Sequence, residues 1–544
     1  MATAQTEQRM NKQMSKMMVW AVVAAVMPVA AVTAQQQAPV GGVQGALAQD
    51  QYVVGRALPP DTPGTQRVDL SLEAAIARAL ENNLDIAREK LNPQMQDYSL
   101  QAARAAFRPT LNGNLSYNNA SQQSTSQLDG GARTTTQTTS FGTSMSQRMK
   151  WQGAQFSFNF GNTRTATDNA FSTRNPNFRS NLNLQYTQPL LAGRTIDNQR
   201  NNLQTGEIQR QITDIALLSQ IENIKNQVRT AYWALRQSIE AIEIQRRSLD
   251  LSRRNYDDNK TKVEVGTVAE IDLVQLESQI ANGEQSLLAA EIAWRNAEIA
   301  FKRLLVGSTE DDFFRATINP TDLPSFEMPS VDIPGAVKNA IAQRADIETA
   351  RQNIRINELN LALSKNGTRA SLGLTASYSL AGVGGPLYDR SGLGGAAVLV
   401  ESGGYFDALR SIAGIDTPTW QVGLNFSQPL GLSSQKANHL RSELSMEQQK
   451  TSLKRTELDI ETAVTRAGLD VQSTYKQLLA SQKSREAAER TLNAELTRFS
   501  VGMSTNFQVI SLQNALTSAR NNELTATIRY INAIAEFDRV QRIS

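Results

Sequence analysis

The chain has 544 residues, which is too long for one ordinary domain, so several domains or an extended architecture are expected. Its 55 basic and 52 acidic residues nearly balance, and this gives no reason to expect nucleic acid as a partner. There is no cysteine and a single histidine, His439, which excludes disulfides, thiol nucleophiles, Cys-rich zinc sites and histidine pairs. A metal held only by carboxylates stays open, but no acidic cluster has a loop-like ligand spacing. We expect no cofactor.

The N-terminal region has the order of a secretory signal. Lys12 and Lys16 precede the apolar run Met17–Val32, and small residues follow it. This order predicts a signal peptide over residues 1–34. The alternative is a single anchor helix, but the run is shorter than the ~20 residues that cross a bilayer. Residues 35–67 are rich in Gln, Gly and Pro, and they are predicted to form a flexible N-terminal segment.

The rest of the chain contains an internal repeat. Leu72–Ile86 is echoed by Ile333–Ile347 at an offset of 261 residues, and later matches, such as Trp294 with Tyr530, have an offset of 236. Four matches in the same order are not expected by chance. The pattern predicts a first repeat over 68–306, a linker over 307–332 and a second repeat over 333–544.

Each repeat begins with a helical pattern, from Ser71 to about Arg108 and from about Pro334 to Lys365. Runs with strict apolar–polar alternation follow: Leu111–Tyr117, Phe156–Phe160, Leu182–Tyr186, Leu372–Tyr378 and Val422–Phe426. Such strands carry their apolar side chains on one face and, here, uncharged polar ones on the other. A soluble sandwich would also alternate, but a membrane barrel fits at least as well.

The first repeat has an additional predicted hairpin, Phe141–Met149 with Phe156–Phe160, for which the second repeat shows no counterpart. The segments Ser121–Ser140 and Ala381–Pro418 are of low complexity, and we expect loops there, with a short helix starting at Tyr405.

Each repeat closes with a long helical hairpin. No proline lies between Pro189 and Pro320 or after Pro429, and apolar residues recur every three or four positions. This is the period of a coiled coil. About 60 residues from Leu203 to Lys262 would make a rod of ~90 Å at ~1.5 Å per residue. A rod of that length indicates that the chain reaches across a distance.

The ordered duplication of helix, strand pair ending in Gln-Pro-Leu, and proline-free hairpin resembles the TolC-like outer membrane efflux proteins, over about Val68 to Arg542. The resemblance implies an α+β membrane protein. It implies a homotrimer whose strands form one β-barrel in the outer membrane, continued into a long α-helical, coiled-coil barrel in the periplasm of a Gram-negative-type cell. The implied function is a passive, non-enzymatic duct. Its implied partners are outer-membrane lipid, a periplasmic adaptor (membrane fusion) protein and an inner-membrane RND or ABC transporter, for efflux or type I secretion.

The hairpin turns are candidate sites by the same resemblance. Val265-Gly266-Thr267 and Val501-Gly502-Met503 interrupt otherwise continuous helical patterns, and glycine is an ordinary helix stop. In the family these turns are the periplasmic tips, so the six residues are predicted to dock the adaptor.

The resemblance also implies a gate beside the tips. Asp272 matches an aspartate of the family's first repeat, and Phe499 stands where a tyrosine is expected. Ser504 replaces an arginine, and Gln508 and Ser511 replace an acidic pair. Three copies of Asp272 would attract cations in a narrow neck. The substitutions put the family's gate-locking links in doubt.

Two other classes of function are alternatives to a channel. A periplasmic coiled-coil adaptor or scaffold is the main alternative, but it would have one hairpin between compact β domains, whereas both hairpins and strands are duplicated here. An enzyme needs a nucleophile–base or carboxylate pair. His439 lies near Lys436 and Arg441 with no assignable serine or aspartate.

Overall fold

In a computed structural model of the protein, the described residues are 54–61, 64–124, 131–266, 269–324, 326–327, 330–390, 392 and 395–541. The predicted signal peptide lies outside them. The helices are α1 Leu72–Asn82, α2 Leu84–Glu89, α3 Leu91–Ala105, α4 Asn198–Glu264, α5 Glu270–Leu305, α6 Asp312–Arg315, α7 Ile333–Gln343, α8 Ala345–Gly367, α9 Tyr405–Ala413, α10 Ser434–Ser500 and α11 Asn506–Gln541. The strands are β1 Arg67–Leu70, β2 Thr110–Gln123, β3 Arg133–Arg148, β4 Gln155–Thr167, β5 Asn177–Pro189, β6 Thr317–Pro320, β7 Ser371–Gly384, β8 Leu387–Arg390, β9 Ala397–Glu401 and β10 Pro418–Ser427.

The two halves of the chain have elements of equal length. Helices α1 and α7 each have 11 residues, and strands β2 and β7 each have 14. Helices α4 and α10 each have 67 residues, and α5 and α11 each have 36. The starting residues differ by 261 for the first two pairs and by 236 for the last two, as in the sequence repeat. The equal lengths support the predicted duplication.

The predicted first helix of each repeat is interrupted. In the first half it forms three helices, because Asn83 adopts an extended backbone and its Oδ1 accepts the Asp85 and Ile86 N–H groups. A second break at Lys90 precedes Pro93, which cannot donate a backbone hydrogen bond and whose ring excludes a regular turn before it. The second half breaks only once, at Arg344, since no proline follows there. The helical segment predicted at the start of each repeat is therefore divided into three helices in the first half and two in the second.

Six antiparallel strands form one sheet in the order β10-β7-β5-β4-β3-β2. Four strands come from the first half and two from the second. The additional hairpin predicted in the first half is present as β3–β4, and it starts earlier than expected. The Thr-rich segment from Arg133 to Ser140 belongs to β3, where its β-branched side chains suit a pleated surface, so the predicted loop over Ser121–Ser140 was wrong at both ends.

The sheet has one apolar and one polar face. The apolar face is defined by the cross-strand rows that contain the following side chains: Leu111, Leu115, Tyr117, Phe141, Met145, Phe156, Phe158, Phe160, Phe178, Leu182, Leu184, Leu374, Tyr378, Leu380, Trp420, Val422, Leu424 and Phe426. The alternate positions define the polar face and are mostly Asn, Gln, Ser, Thr and Gly. The apolar side chains of the edge strands β2 and β10 are exposed.

The turn of the additional hairpin packs against the end of β5 and the segment that connects β5 to α4. Gln188 Nε2 donates to the carbonyl of Gln152 at 3.0 Å in the β3–β4 turn. A side chain at Gly153 would lie 2.7 Å from the carbonyl oxygen of Gly193, so only glycine fits this approach. Arg200 Nη2 also donates to that carbonyl, at 2.6 Å. The turn is thus fixed where the sheet meets the helices.

A small parallel pair, β1 with β6, lies against the middle of α4, so the predicted linker 307–332 contributes a strand. The Tyr232 hydroxyl donates to the Leu70 carbonyl at 3.1 Å and accepts the Asp322 N–H at 3.0 Å. Burial raises the pKa of Tyr232 to about 12.

The predicted flexible segment 35–67 is fixed over its described C-terminal part. Glu240 is fully buried, and its Oε1 accepts the N–H groups of Gly55 and Ala57, each at 2.9 Å. Arg236 lies 3.3 Å from the same carboxylate and donates to the Ala57 carbonyl. The expectation of flexibility was wrong there, because a buried carboxylate requires these donors.

The two 67-residue helices begin at side-chain caps. Asp197 accepts the Arg200 N–H at the start of α4, and Ser433 accepts the Lys436 N–H at the start of α10. None of the described helices is both long enough and apolar enough to cross a bilayer.

Candidate functional site: the tips of the long hairpins

Both hairpins turn in the same way. Gly266 and Gly502 have φ of 80° and 76°, a backbone region that favours glycine. At the second tip, Gly502 N–H donates to Phe499 and Met503 N–H donates to Arg498, which is a Schellman motif. At the first tip, Gly266 N–H donates to Val263. Thr267 lies outside the described residues.

The tips carry exposed apolar side chains. Val265 lies at the first tip, and Val501 and Met503 lie at the second. Ile271 and Phe507, in the first turns of α5 and α11, are also exposed. Several exposed apolar groups at the ends of two neighbouring hairpins are typical of a protein-interaction surface.

The predicted gate residues occupy two different environments. Asp272, in the first turn of α5, is half-buried, and Phe499, in the last turn of α10, is half-buried as well. Gln508 and Ser511, near the start of α11, are exposed. Within the described part of the chain, no hydrogen bond or ion pair joins any two of these four residues.

The structure adds Lys262, which the sequence reasoning missed. Its Nζ lies 4.3 Å from the centroid of the Phe499 ring, so the last turn of α4 contacts the last turn of α10. A cation over an aromatic face is stabilising by about 0.5–1 kcal/mol at an exposed site. The available signal was a lysine near the end of α4 and an aromatic residue near the end of α10, but the sequence does not show that they face each other.

Ser504, which stands where the resemblance predicts an arginine, forms a hydrogen bond within its own hairpin. Its hydroxyl donates to Glu495 Oε1 at 2.5 Å, and the other oxygen of Glu495 lies 3.5 Å from Arg498. This pairing lies within the second hairpin, so it stabilises that tip without joining it to the first.

Close to the tips, the contact between α4 and α11 is polar and buried. Asn255 Nδ2 donates to Asn506 Oδ1 at 3.2 Å, and Ser248 and Thr517 share a hydrogen bond of 3.0 Å. Among the described residues, the buried side-chain amide of Gln513 has no hydrogen-bond partner. A protein–protein hydrogen bond replaces bonds to water and contributes only about 0.5–1.5 kcal/mol, so this seam gains less from burial than an apolar one.

Farther from the tips, the second hairpin is joined internally by charges. Arg485 of α10 lies 2.9 Å from Glu523 and 3.1 Å from Glu489, and Arg520 of α11 lies 3.0 Å from Glu489. Burial raises the pKa of Glu523, although Arg485 opposes that shift. The network holds α10 to α11 as one hairpin.

His439 has neighbours that the sequence did not reveal. Its Nδ1 lies 3.3 Å from Ser364 Oγ, and its Nε2 lies 3.3 Å from Glu443. The Ser364 hydroxyl donates to the Leu361 carbonyl of its own helix. The described residues include no cluster of His, Cys, Asp and Glu suited to a metal ion.

The sheet has the alternation of apolar and polar faces that is typical of transmembrane β-barrel strands, and it is joined at one end to long antiparallel helical hairpins. Comparison with known proteins agrees. The family model for outer membrane efflux proteins matches residues 150–307 and 336–539, and the chain belongs to this family. The family is a non-enzymatic group of channels, and membership in it supports an outer-membrane location.

Solved structures show the same fold at low identity. The Campylobacter jejuni CmeC outer membrane channel is 16% identical over 86% of this chain and 85% of its own, with a TM-score of 0.59. The Vibrio cholerae outer membrane protein VceC is 12% identical over 86% and 95%, with a TM-score of 0.61. The open state of the Neisseria gonorrhoeae MtrE outer membrane channel is 17% identical over 90% and 97%, with a TM-score of 0.57. No curated protein matches the chain in sequence.

Proposed function

We propose that the protein is the outer-membrane channel subunit of a tripartite efflux or type I secretion system. In this proposal it is a passive trimeric duct that carries substrates from a periplasmic adaptor and an inner-membrane transporter to the cell exterior. Family membership supports the outer-membrane channel. The observation that carries association of several copies is the sheet, whose edge strands β2 and β10 each lack a second partner strand among the described residues. A sheet in lipid must close to satisfy its backbone, so further copies must supply the missing pairs.

Three copies would close a barrel of 18 strands, six from each chain. Strand β2 runs away from the helices and β10 runs back to them, so β2 of one copy would pair antiparallel with β10 of the next. With a strand spacing of about 4.8 Å and a tilt of about 40°, such a barrel is about 36 Å wide between backbones. Twelve strands would give only about 24 Å by the same geometry.

The wider barrel matches the helical part. Four helices of each chain reach the sheet: α3 and α8 end just before β2 and β7, and α4 and α10 follow β5 and β10. Twelve helices about 9.5 Å apart would form a ring about 37 Å wide. The additional hairpin β3–β4 thus allows the strand and helix rings to meet without a constriction between them.

The tips are proposed to dock the adaptor and to form the gate. Val265, Gly266 and Thr267 on one hairpin and Val501, Gly502 and Met503 on the other would contact the adaptor, which the exposed apolar side chains favour. Asp272, Phe499, Gln508 and Ser511 would lie at the periplasmic neck. The gate would open by separation of the hairpins along the polar seam between α4 and α11.

The test is to express the full chain in a Gram-negative-type cell, recover the outer membrane and reconstitute the purified protein in planar bilayers. We expect a trimer that dissociates only on heating and that forms ion-conducting channels. Recovery as a soluble protein that never conducts would contradict the proposal and favour a scaffold.

A further inference from the structure

Helix α9, in the loop region of the second half, lies on the apolar face of the sheet. The Tyr405 hydroxyl donates to Asn162 Oδ1 at 2.9 Å, and the Tyr405 ring lies 5.7 Å from that of Phe141 and 6.2 Å from that of Phe178, between centroids. Phe141, Asn162 and Phe178 belong to three neighbouring strands and occupy adjacent rows of the apolar face. The helix therefore covers the side of the sheet opposite to the polar face.

Two glycines of β7 make this placement specific. A Cβ at Gly382 would lie 1.9 Å from the Ala408 carbonyl oxygen, and one at Gly384 would lie 2.1 Å from that of Gly404. Both glycines fall in the rows of the apolar face, paired with Ser180 and Phe178. Ala408 is fully buried. Backbone-to-backbone contact of this kind requires glycine on the strand and a small residue on the helix.

Measured along the strands, α9 lies at the distance from the helical hairpins where the membrane–water interface is expected. Strand β7 starts beside the helices at Ser371, and its apolar row runs from Leu372 to Leu380 before the two glycines. These nine residues match the ~9–11 that cross the hydrocarbon region in a tilted strand. Helix α9 lies beyond them, at the end of the strands that is remote from the helical hairpins.

The outer side of α9 has the composition of an interfacial helix. Phe406 is 81% exposed, and the charged residues Asp407 and Arg410 are exposed beside it. Strand β9 adds three consecutive exposed apolar residues, Val398 to Val400. An aromatic side chain flanked by charges suits the boundary between headgroups and acyl chains, where amphipathic helices lie.

We propose that α9 and β9 form a collar on the outside of the barrel that inserts into the outer leaflet of the membrane. The occupant of this surface is membrane lipid, because the surface continues the apolar face of the sheet. The inference rests on the proposed function, in which that face is turned to lipid. The collar would fix the depth of the barrel by adding a helix at the extracellular interface.

The absence of cysteine allows a direct test with single-cysteine variants that carry a nitroxide spin label in phospholipid vesicles. Phe406→Cys reports on the collar, Val422→Cys on the apolar face and Ser379→Cys on the polar face. Accessibility is measured to molecular oxygen, which concentrates in lipid, and to a water-soluble nickel chelate. We expect the label at Phe406→Cys to match that at Val422→Cys, with an oxygen-to-nickel ratio several-fold above that at Ser379→Cys.

The two reference positions, Val422→Cys and Ser379→Cys, distinguish a failure of the collar proposal from a failure of the proposed function. If Val422→Cys and Ser379→Cys differ as expected while Phe406→Cys is as accessible to nickel as Ser379→Cys, the collar is wrong and the barrel stands. If the two reference positions do not differ, the orientation of the sheet in lipid is wrong, and both proposals fall.

Discussion

The Nζ atom of Lys262 lies 4.3 Å from the ring centroid of Phe499, and this contact joins the two hairpins close to both tips. Phe499 is one of the proposed gate residues, so under the proposed function this contact would help to keep the gate closed. The seam beside it is polar, so this cation–aromatic contact adds to the hydrogen bonds that join the two hairpins near their tips.

Lys262→Met should loosen the gate. The substitution keeps the length of the side chain and removes the cation, which is worth about 0.5–2 kcal/mol over an aromatic ring. We expect single-channel conductance or open probability in planar bilayers to rise several-fold. Lys260→Met, two residues away at an exposed position, is the matched control and should behave like the wild type. Equal conductance of both variants and the wild type would remove Lys262 from the gate.

Asp272→Asn should reduce the preference for cations. Three copies of this half-buried carboxylate in one neck would raise the local cation concentration, and the amide abolishes that charge with little change in shape. The reversal potential in a salt gradient measures the effect. Glu270→Gln, in the same first turn but exposed, is the control. An unchanged reversal potential for Asp272→Asn would mean that the residue does not face the conduction path.

The 18-strand barrel predicts a specific cross-link between copies. Asn114 on β2 and Gln421 on β10 both lie on the polar face, at opposite edges of one sheet. Five strand spacings, about 24 Å, separate them within a chain, which is beyond a short bis-maleimide. The double variant Asn114→Cys/Gln421→Cys should therefore give dimers and trimers on a denaturing gel.

The control for that cross-link is Asn114→Cys/Asn183→Cys, because Asn183 lies on the central strand β5. It should remain monomeric. A ladder from the control, or none from the edge pair across neighbouring positions of β10, would contradict closure through these two strands.

Tyr232→Phe should destabilise the middle of the first hairpin. The hydroxyl donates to the Leu70 carbonyl and accepts the Asp322 N–H. Leaving such buried groups unpaired costs about 1–3 kcal/mol. The change should lower the melting temperature measured by circular dichroism at neutral pH. Tyr98→Phe, at an exposed position, should leave it unchanged.

The same residue predicts an alkaline transition. The folded pKa of Tyr232 is about 12, above the ordinary value near 10, so the stabilisation from its protonated form is complete below pH ~10. It is lost as the pH rises towards 12, because the unfolded chain ionises first. Tyr232→Phe should flatten the fall in melting temperature over that window. A fall of the same steepness in the variant would contradict the assignment.

The sequence predicted much of the fold because its patterns are local and occur twice. The alternation in Leu372–Tyr378 is enough to predict a strand, and the absence of proline after Pro429 is enough to predict a long rod. The break before Pro93 could also have been predicted, since proline disrupts the preceding turn. The pairing of β1 with β6 could not, because each strand has only four residues and they lie 250 positions apart.

Contacts at the candidate site were harder to predict. A period of three or four residues places apolar positions on one side of each rod, but it does not fix how two rods are rotated against each other. The meeting of Lys262 with Phe499 depends on that rotation. The sequence contained a weak signal for the position of α9. Gly382 and Gly384 stand on the apolar face of β7, where the earlier positions of the strand carry mostly large side chains.

The equal lengths of the paired rods indicate how the two halves have diverged. One residue inserted into a helix turns every later side chain by about 100° and moves the tip by about 1.5 Å, so it would misalign the whole contact surface below it. Insertion of a complete β-hairpin leaves each rod in register, because its ends return to neighbouring strands. The difference in length between the two halves therefore lies in the region of the strands, while the 67- and 36-residue helices have equal lengths in both halves.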